Sequence, residues 1–323
     1  MENYKVVVIN PGYESYKYEQ EILKPVGAKL IIAGEDCITE ELIISTACDA
    51  DAILVREAPI TGKVIESLKR CKIIARYGVG VDNIALEIAR QKRMYVSIVP
   101  DYGTEDVSDH AIALLLSCIR TLPIRDQNVR KGIFETDIIA EIYRTTGKNL
   151  GIIGYGKIAK AFHRKWKGFL PSNVLVYDPF VDIDVTQKNG AKKVALDTLL
   201  TDSDYISIHA PLTSETFHMF NEQTLKKMKP TAILVNTSRG AIIDTIALAN
   251  AIKEGVVLAA GLDVFEKEPI PKDHPLICLP SMVLTPHMAW YSKESTGDLQ
   301  KGAAREVRRV LSGETPQNWA NPW

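Results

Sequence analysis

Short apolar runs recur along the chain, separated by mixed stretches with helical spacing. The first series comprises Val6–Ile9, Leu30–Ala33, Ala52–Val55, Ile73–Ala75 and Tyr95–Ile98. The second comprises Leu150–Ile153, Val174–Tyr177, Tyr205–Ile208, Ala232–Val235, Val257–Gly261 and Met282–Thr285. These runs are rich in Val, Ile and Leu and do not alternate with polar residues, the pattern of strands covered on both faces in parallel α/β sheets. Two such series predict an α/β protein with two doubly wound parallel-sheet domains. The break falls at Val99-Pro100-Asp101-Tyr102-Gly103, where turn residues interrupt the pattern. Thr104 then reads as a helix N-cap, with Glu105 and Asp106 in the first turn and an apolar run from Ala111 to Ile119. Pro123 is expected to end or kink that helix and Gly132 to end the next one. The last helical pattern, Ser292 to Leu311, has no strand after it. A chain that leaves its first domain, builds a second and returns would use this helix as the return crossing. The expected division is residues 1–99 with 291–323 in one domain and 100–290 in the other, matching a prior of about 150 residues per domain for a chain of 323.

Composition narrows the function classes. Apolar residues are 46% and charged residues 24%, so disorder and fibrous repeats do not fit. Lys and Arg number 39 against 40 Asp and Glu, a formal net charge of −1, so no global charge pulls the chain onto nucleic acid or an anionic membrane. Arg305, Arg308 and Arg309 share a helical stretch with Glu306 and read as a solvated face. The five cysteines, Cys37, Cys48, Cys71, Cys118 and Cys278, are odd in number and scattered, which argues against a disulfide framework or a zinc site; no metal is expected. No apolar run approaches the roughly 18 residues of a membrane span. Strand-like Lys5–Ile9 follows Met1 without a basic and apolar leader. The expected compartment is the cytoplasm.

Leu150-Gly-Ile-Ile-Gly-Tyr-Gly-Lys-Ile-Ala159 reads as strand, glycine turn and helix start. Gly154, Gly156 and Ala159 occupy the G-x-G-x-x-G/A positions of a dinucleotide fingerprint, for a tight turn, close backbone approach to a pyrophosphate and tight helix–strand packing. Tyr155, Lys157 and Ile158 complete the turn. Ile158, Phe162, Trp166 and Phe169 fall on one helical face. Asp178 lies at the end of the next strand, about 20 residues on, where a carboxylate accepts ribose hydroxyls and repels a 2′-phosphate. NAD is the implied cofactor.

Three polar motifs end the later strands: Asn236-Thr-Ser-Arg239-Gly240, Gly261-Leu-Asp263 through Glu268-Pro269, and Thr285-Pro-His287-Met-Ala-Trp290. Hydride transfer to a 2-oxo acid needs a cation for the carboxylate and carbonyl, and a proton donor. Arg239 suits the first role by its planar fork of donors. His287 suits the second, with Glu268 as the carboxylate that favours its protonated form.

With these motifs in this order, joined by Arg76-Tyr-Gly-Val-Gly-Val-Asp-Asn83 and His209-Ala-Pro-Leu-Thr213, the sequence resembles the NAD-dependent, D-isomer-specific 2-hydroxyacid dehydrogenases. The resemblance implies a Rossmann-type cofactor domain inserted in a flavodoxin-like substrate domain, and a homodimer. It implies catalytic roles for Arg239, Glu268 and His287, and substrate-carboxylate binding by the Gly78, Val79 and Gly80 amides. It also implies cofactor contacts from Thr104, His209, Pro211, Thr216, Thr237, Ser238, Arg239, Asp263 and His287, besides the fingerprint residues and Asp178. Arg76 and His287-Met-Ala-Trp290-Tyr-Ser292 resemble the C-terminal-binding-protein-like branch, in which the matching Arg and Trp line the substrate pocket. Trp290 then favours an acid with an extended apolar side chain, core packing being its other reading. Ser238 and Met288 depart from the Ala frequent in that branch. Arg56, after a first-domain strand, reads first as a surface charge. The expected activity is reduction of a 2-oxo acid to the (R)-2-hydroxy acid. The alternative is a dinucleotide-gated binding protein of the C-terminal-binding-protein type.

Overall fold

Runs of β-branched residues form the strands of two sheets, both entirely parallel, in a computed structural model that describes residues 4–134 and 142–323. The chain divides into two compact units, Met1–Gly103 with Ser292–Trp323, and Thr104–Tyr291. In the first unit the strands are β1 (Tyr4–Ile9), β2 (Ala28–Ile32), β3 (Ala52–Val55), β4 (Ile73–Arg76) and β5 (Tyr95–Ser97). Their order is β2-β1-β3-β4-β5, with Val6 level with both Leu30 and Ala52. Val7, Ile9, Ile53, Val55, Ile74 and Val96 point into a core shared with Ile43, Val64 and Ile65 from covering helices. Helix Lys293–Leu311 packs on β3, β4 and helix Lys17–Leu23, so the second face is also covered. Ser292 caps that helix in a reciprocal box with Ser295. The segment after it runs along β5: Ile98 N–H donates to Asn318 O, Ala320 N–H to Val96 O, and the Asn321 side chain bridges Val96 N–H and Met94 O. This occupies the backbone groups of an otherwise unpaired edge.

In the second unit the strands are β6 (Asn149–Ile153), β7 (Asn173–Tyr177), β8 (Lys192–Lys193), β9 (Tyr205–Ile208), β10 (Ile233–Asn236), β11 (Ala259–Leu262) and β12 (Met282–Leu284). Their order is β12-β11-β10-β9-β6-β7-β8. Successive residues enter opposite cores: Ile206, Ile208, Leu234 and Leu262 one, and Tyr205, Ile233, Val235 and Ala259 the other. That two-sided burial is why the strands read as continuous apolar runs. On helix Lys157–Trp166, Phe162 and Trp166 are fully buried, each burial contributing about 1.5–3 kcal/mol, and Phe169 stacks on Trp166. The strand order reverses between β6 and β9, a position where open α/β sheets take ligands at their carboxyl ends.

Three local features differ from the sequence expectation. Strand β8 is two lysines at a sheet edge and carries no apolar signal. Pro123 does not end the helix Thr104–Ile119. It lies in the first turn of the next helix, Leu122–Arg130, where its missing N–H costs nothing, and the break comes from Thr121 in the left-handed region at φ 51°. Thr104 is the first residue of its helix rather than the cap. Gly132 follows Leu122–Arg130 at φ 78°, as a left-handed helix end requires. No single described helix is long and apolar enough to cross a membrane.

Candidate active site

The carboxyl ends of β6, β7, β9, β10, β11 and β12 lie in one row along the second sheet and carry the polar motifs. After β6 the chain turns at Gly154, in the left-handed region at φ 78°, where a Cβ would lie 2.8 Å from the Ala210 backbone. Glycine is needed there both for conformation and for space. At Gly156 a Cβ would meet nothing within 4 Å, so this side of the turn is open. Helix Lys157–Trp166 starts immediately after, with no side chain capping it. Its first N–H groups and dipole are available to an anion. Fully buried Ala159 holds the helix close to β6.

Asp178, at the end of β7, accepts from Tyr155 N–H at 2.7 Å through one oxygen and from Phe180 and Val181 N–H at 2.8 and 3.2 Å through the other. It thus ties the glycine turn to β7. A carboxylate has about four acceptor positions, so room remains for a ribose hydroxyl. Tyr155 is held from two sides. Its N–H is spent on Asp178, and its ring is buried with the hydroxyl 2.7 Å from His163 Nδ1. Burial, with a contribution from Lys167, pushes the His163 imidazole down to about 4. Lys157 is exposed, and Ile158 and Thr104 are half-buried at their helix starts.

After β9, His209 is pushed down to about 3 by burial, with Nε2 2.9 Å from Ser207 Oγ, so it is neutral at physiological pH. Thr216 closes its own turn, donating to Pro211 O and accepting from Thr213 N–H, both at 2.7 Å; Pro211 itself is exposed. After β10, the Thr237 hydroxyl is buried with no partner among the described residues, and Ser238 Oγ donates to Ala210 O. An orphaned hydroxyl, an uncapped helix start and an open glycine face fit a dinucleotide.

Arg239 is held by Asn236, a fully buried side chain that accepts from Ser238 N–H at 2.9 Å and donates to Arg239 O at 2.8 Å. Next to it, a Cβ at Gly240 would lie 1.9 Å from Phe265 C and 2.1 Å from Phe265 O. The Arg239 and Glu268 loops therefore touch through backbone. Glu268 Oε2 is 2.7 Å from His287 Nδ1, and Oε1 accepts from Phe265 N–H at 2.9 Å. Partial burial raises the Glu268 carboxyl, but the His287 and Phe265 hydrogen bonds and the charges of His287 and Arg239 outweigh it and hold it below the usual carboxylate range.

His287 sits in the left-handed region at φ 53°, a strained setting for a non-glycine residue. Its support is Asp263. The fully buried carboxylate accepts from Thr285 Oγ1 at 2.6 Å, Met288 N–H at 2.9 Å and Ala289 N–H at 2.8 Å, while Asp263 O accepts from His287 N–H at 2.7 Å. His110 Nε2 lies 2.9 Å from Thr285 Oγ1 and 3.6 Å from Asp263 Oδ1. Sequence reasoning missed His110, Thr285 and Asn236 in these roles. Asn236 carries a signal, an Asx-type residue opening a strand-end turn; His110 carries none.

Trp290 is half-buried, edge-on to Tyr291 at 5.7 Å. The remaining candidates belong to the first unit. Arg76, at the end of β4, is buried and pairs with Glu57 at 2.8 Å. Gly78, at φ 148°, leaves space that the Arg76 guanidinium fills. The Gly78 N–H is already given to Arg76 O at 2.9 Å, leaving the Val79 and Gly80 amides as the loop's donors. Arg56 is not the solvated charge expected of it: it is half-buried, its guanidinium 5.5 Å from the Tyr13 ring centre.

Residues 112–289 match the model of the D-isomer specific 2-hydroxyacid dehydrogenase, NAD binding domain, family. The chain is 40% identical to a glyoxylate reductase of Korarchaeum cryptofilum, over 88% of its own length and 86% of the relative's. It is 36% identical over 98% of its length to a D-3-phosphoglycerate dehydrogenase of Methanocaldococcus jannaschii, of which it spans 59%. Among solved structures, the D-lactate dehydrogenase of Aquifex aeolicus, complexed with NAD and lactic acid, superposes with a TM-score of 0.87 at 28% identity, covering 98% of this chain and 99% of that one. These matches do not single out the C-terminal-binding-protein-like branch. The chain belongs to the D-isomer specific 2-hydroxyacid dehydrogenase family, with NAD as its cofactor.

Proposed function

We propose that the protein reduces a 2-oxo acid to the (R)-2-hydroxy acid with NADH, as a cytosolic homodimer. The observation that carries this is the 2.7 Å pair between His287 Nδ1 and Glu268 Oε2, beside Arg239 and in the row of strand ends that holds the glycine turn. When bound, NADH supplies the hydride. Gly154–Ala159 and Asp178 bind the dinucleotide. Arg239 takes the substrate carboxylate and polarises the keto carbonyl. By the family resemblance, carboxylate binding in the first unit is assigned to the Val79 and Gly80 amides. His287, its Nδ1–H directed at Glu268, delivers the Nε2 proton to the developing alkoxide. Asp263 holds the strained His287 turn in place.

For the substrate side chain, Trp290 supports an extended apolar group. A second reading has its own observation: among the described residues no carboxylate pairs with half-buried Arg56, which suits a substrate with a second anionic group. The relatives bear names for both small and phosphorylated acids. A panel of glyoxylate, pyruvate, branched, thioether, aromatic and phosphorylated 2-oxo acids, run with NADH and NADPH and with product chirality determined, separates these readings. Fast NADH turnover of a large apolar member to the (R) product is the expected result. Preference for the phosphorylated member, lost in Arg56→Ala, favours the second reading. Tight NADH binding without turnover of any member points to the binding-protein alternative.

Glu268→Gln is expected to move the high-pH limb of the reduction profile to lower pH. Reduction needs protonated His287, and the carboxylate favours that form. With a neutral partner the proton leaves earlier as pH rises. An unshifted limb in kcat against pH removes Glu268 from this role.

A further inference from the structure

Glu19 is a carboxyl group that the proposed chemistry does not use, yet it is fully buried on helix Lys17–Leu23. Among the described residues no cation pairs with it. Burial raises the Glu19 carboxyl above its usual range, against hydrogen bonds that pull it down. A buried carboxyl without a counter-charge is costly, and a leucine of similar size would pack at less expense. What leucine lacks is acceptor capacity. Tyr77 Oη donates to Glu19 Oε1 at 2.8 Å, and Gln300 Nε2 lies 3.1 and 3.2 Å from the two carboxyl oxygens while also donating to Ser15 O at 2.7 Å. Three distant stretches of chain, around residues 19, 77 and 300, meet at one group.

Tyr77 is the residue that this arrangement immobilises. It is buried between Arg76 and Gly78, its N–H bonded to Val55 O and its ring edge-on to Tyr13 at 5.1 Å, and Tyr13 is the ring under Arg56. The loop Gly78-Val79-Gly80 starts from it, with Gly78 in a conformation at φ 148° that no bond from its own side chain can fix. We propose that Glu19, through Tyr77 and with Gln300, is a positioning residue that sets the substrate-carboxylate loop of the first unit. This rests on the function proposed above.

The test is steady-state kinetics of the whole protein with the best acid of the panel. Tyr77→Phe, which keeps the ring and removes only the hydroxyl, and Glu19→Leu are expected to raise KM for the acid about tenfold, with kcat and the NADH Kd within about twofold of wild type. Glu19→Gln, whose carbonyl can take both bonds now made to Oε1, is expected to keep KM within about threefold. A KM within about twofold of wild type in both Tyr77→Phe and Glu19→Leu overturns the proposal, whatever happens to the melting temperature. If the wild type turns over no acid, the functional reading fails by itself, and hydrogen exchange at the Val79 and Gly80 amides decides this one. Faster exchange in Tyr77→Phe upholds it, and unchanged exchange overturns it.

Discussion

His287→Ala is expected to lower kcat for 2-oxo acid reduction by about 10²–10⁴-fold, the usual contribution of a positioned acid, while NADH binding stays within about twofold of wild type. The separation follows from where the residue sits. Its imidazole is bonded to Glu268, on the loop after β11, and the turn beneath it is held by Asp263 and Thr285 through groups the substitution leaves intact. The dinucleotide turn after β6 uses a different set, Gly154, Gly156 and Asp178. Stopped-flow reduction and fluorescence titration of NADH check the two halves. Wild-type turnover would remove His287 as proton donor, and loss of NADH affinity would show that the His287 turn supports the cofactor as well.

Gly240→Ala is the second large expectation and acts without touching any charged group. The added methyl would lie within 2.5 Å of Phe265 C, Phe265 O and Glu266 N, all backbone atoms that no rotamer change can move aside. Overpacking of this kind costs about 1–3 kcal/mol. For a unit the size of Thr104–Tyr291 that corresponds to a fall in Tm of about 2–4 °C per kcal/mol. Activity well below Tm is expected to fall further than stability, on the order of 10²-fold in kcat/KM, because the loop carrying Arg239 is pushed from the loop carrying Glu268 and misplacements near 1 Å have that effect. Gly168→Ala, where a Cβ meets nothing within 4 Å, serves as the control and is expected to change neither quantity. Equal losses in the two variants would deny Gly240 a role as the contact between the loops.

How much of this was legible without coordinates varies with the range of the interaction. The strands that are buried along most of their length announce themselves as unbroken apolar runs, while β8 does not, because two lysines at a sheet edge pack no apolar side chain into a core. Pro123 reads as a helix stop, but the same missing N–H suits a helix start, and only Thr121 at positive φ decides between them. Glu268 and His287 could be paired on chemical grounds, and the fold brings them to 2.7 Å. Asp263 shows the limit. The resemblance gives it a cofactor contact, while the bonds it makes within the chain, to amides at 288 and 289 with His110 alongside on a helix far away in sequence, carry no local signal. Tyr155 illustrates the same point inside the fingerprint, where spacing fixes the backbone path but not the inward turn of the ring.

Helix Lys293–Leu311 belongs to the first unit but follows the second in sequence. During vectorial synthesis, then, the sheet that is made first is finished last. Strands β1 to β5 leave the ribosome with the face of β3 and β4 bare, and it stays bare while Thr104–Tyr291, a continuous stretch, is translated and can close its own cores. At about 5–20 residues per second that interval is on the order of ten seconds or more, long enough for chaperone capture to compete with collapse. The order in which the two units can be completed is therefore the reverse of the order in which they begin: the cofactor-binding half has all its elements before the half that precedes it receives its last helix.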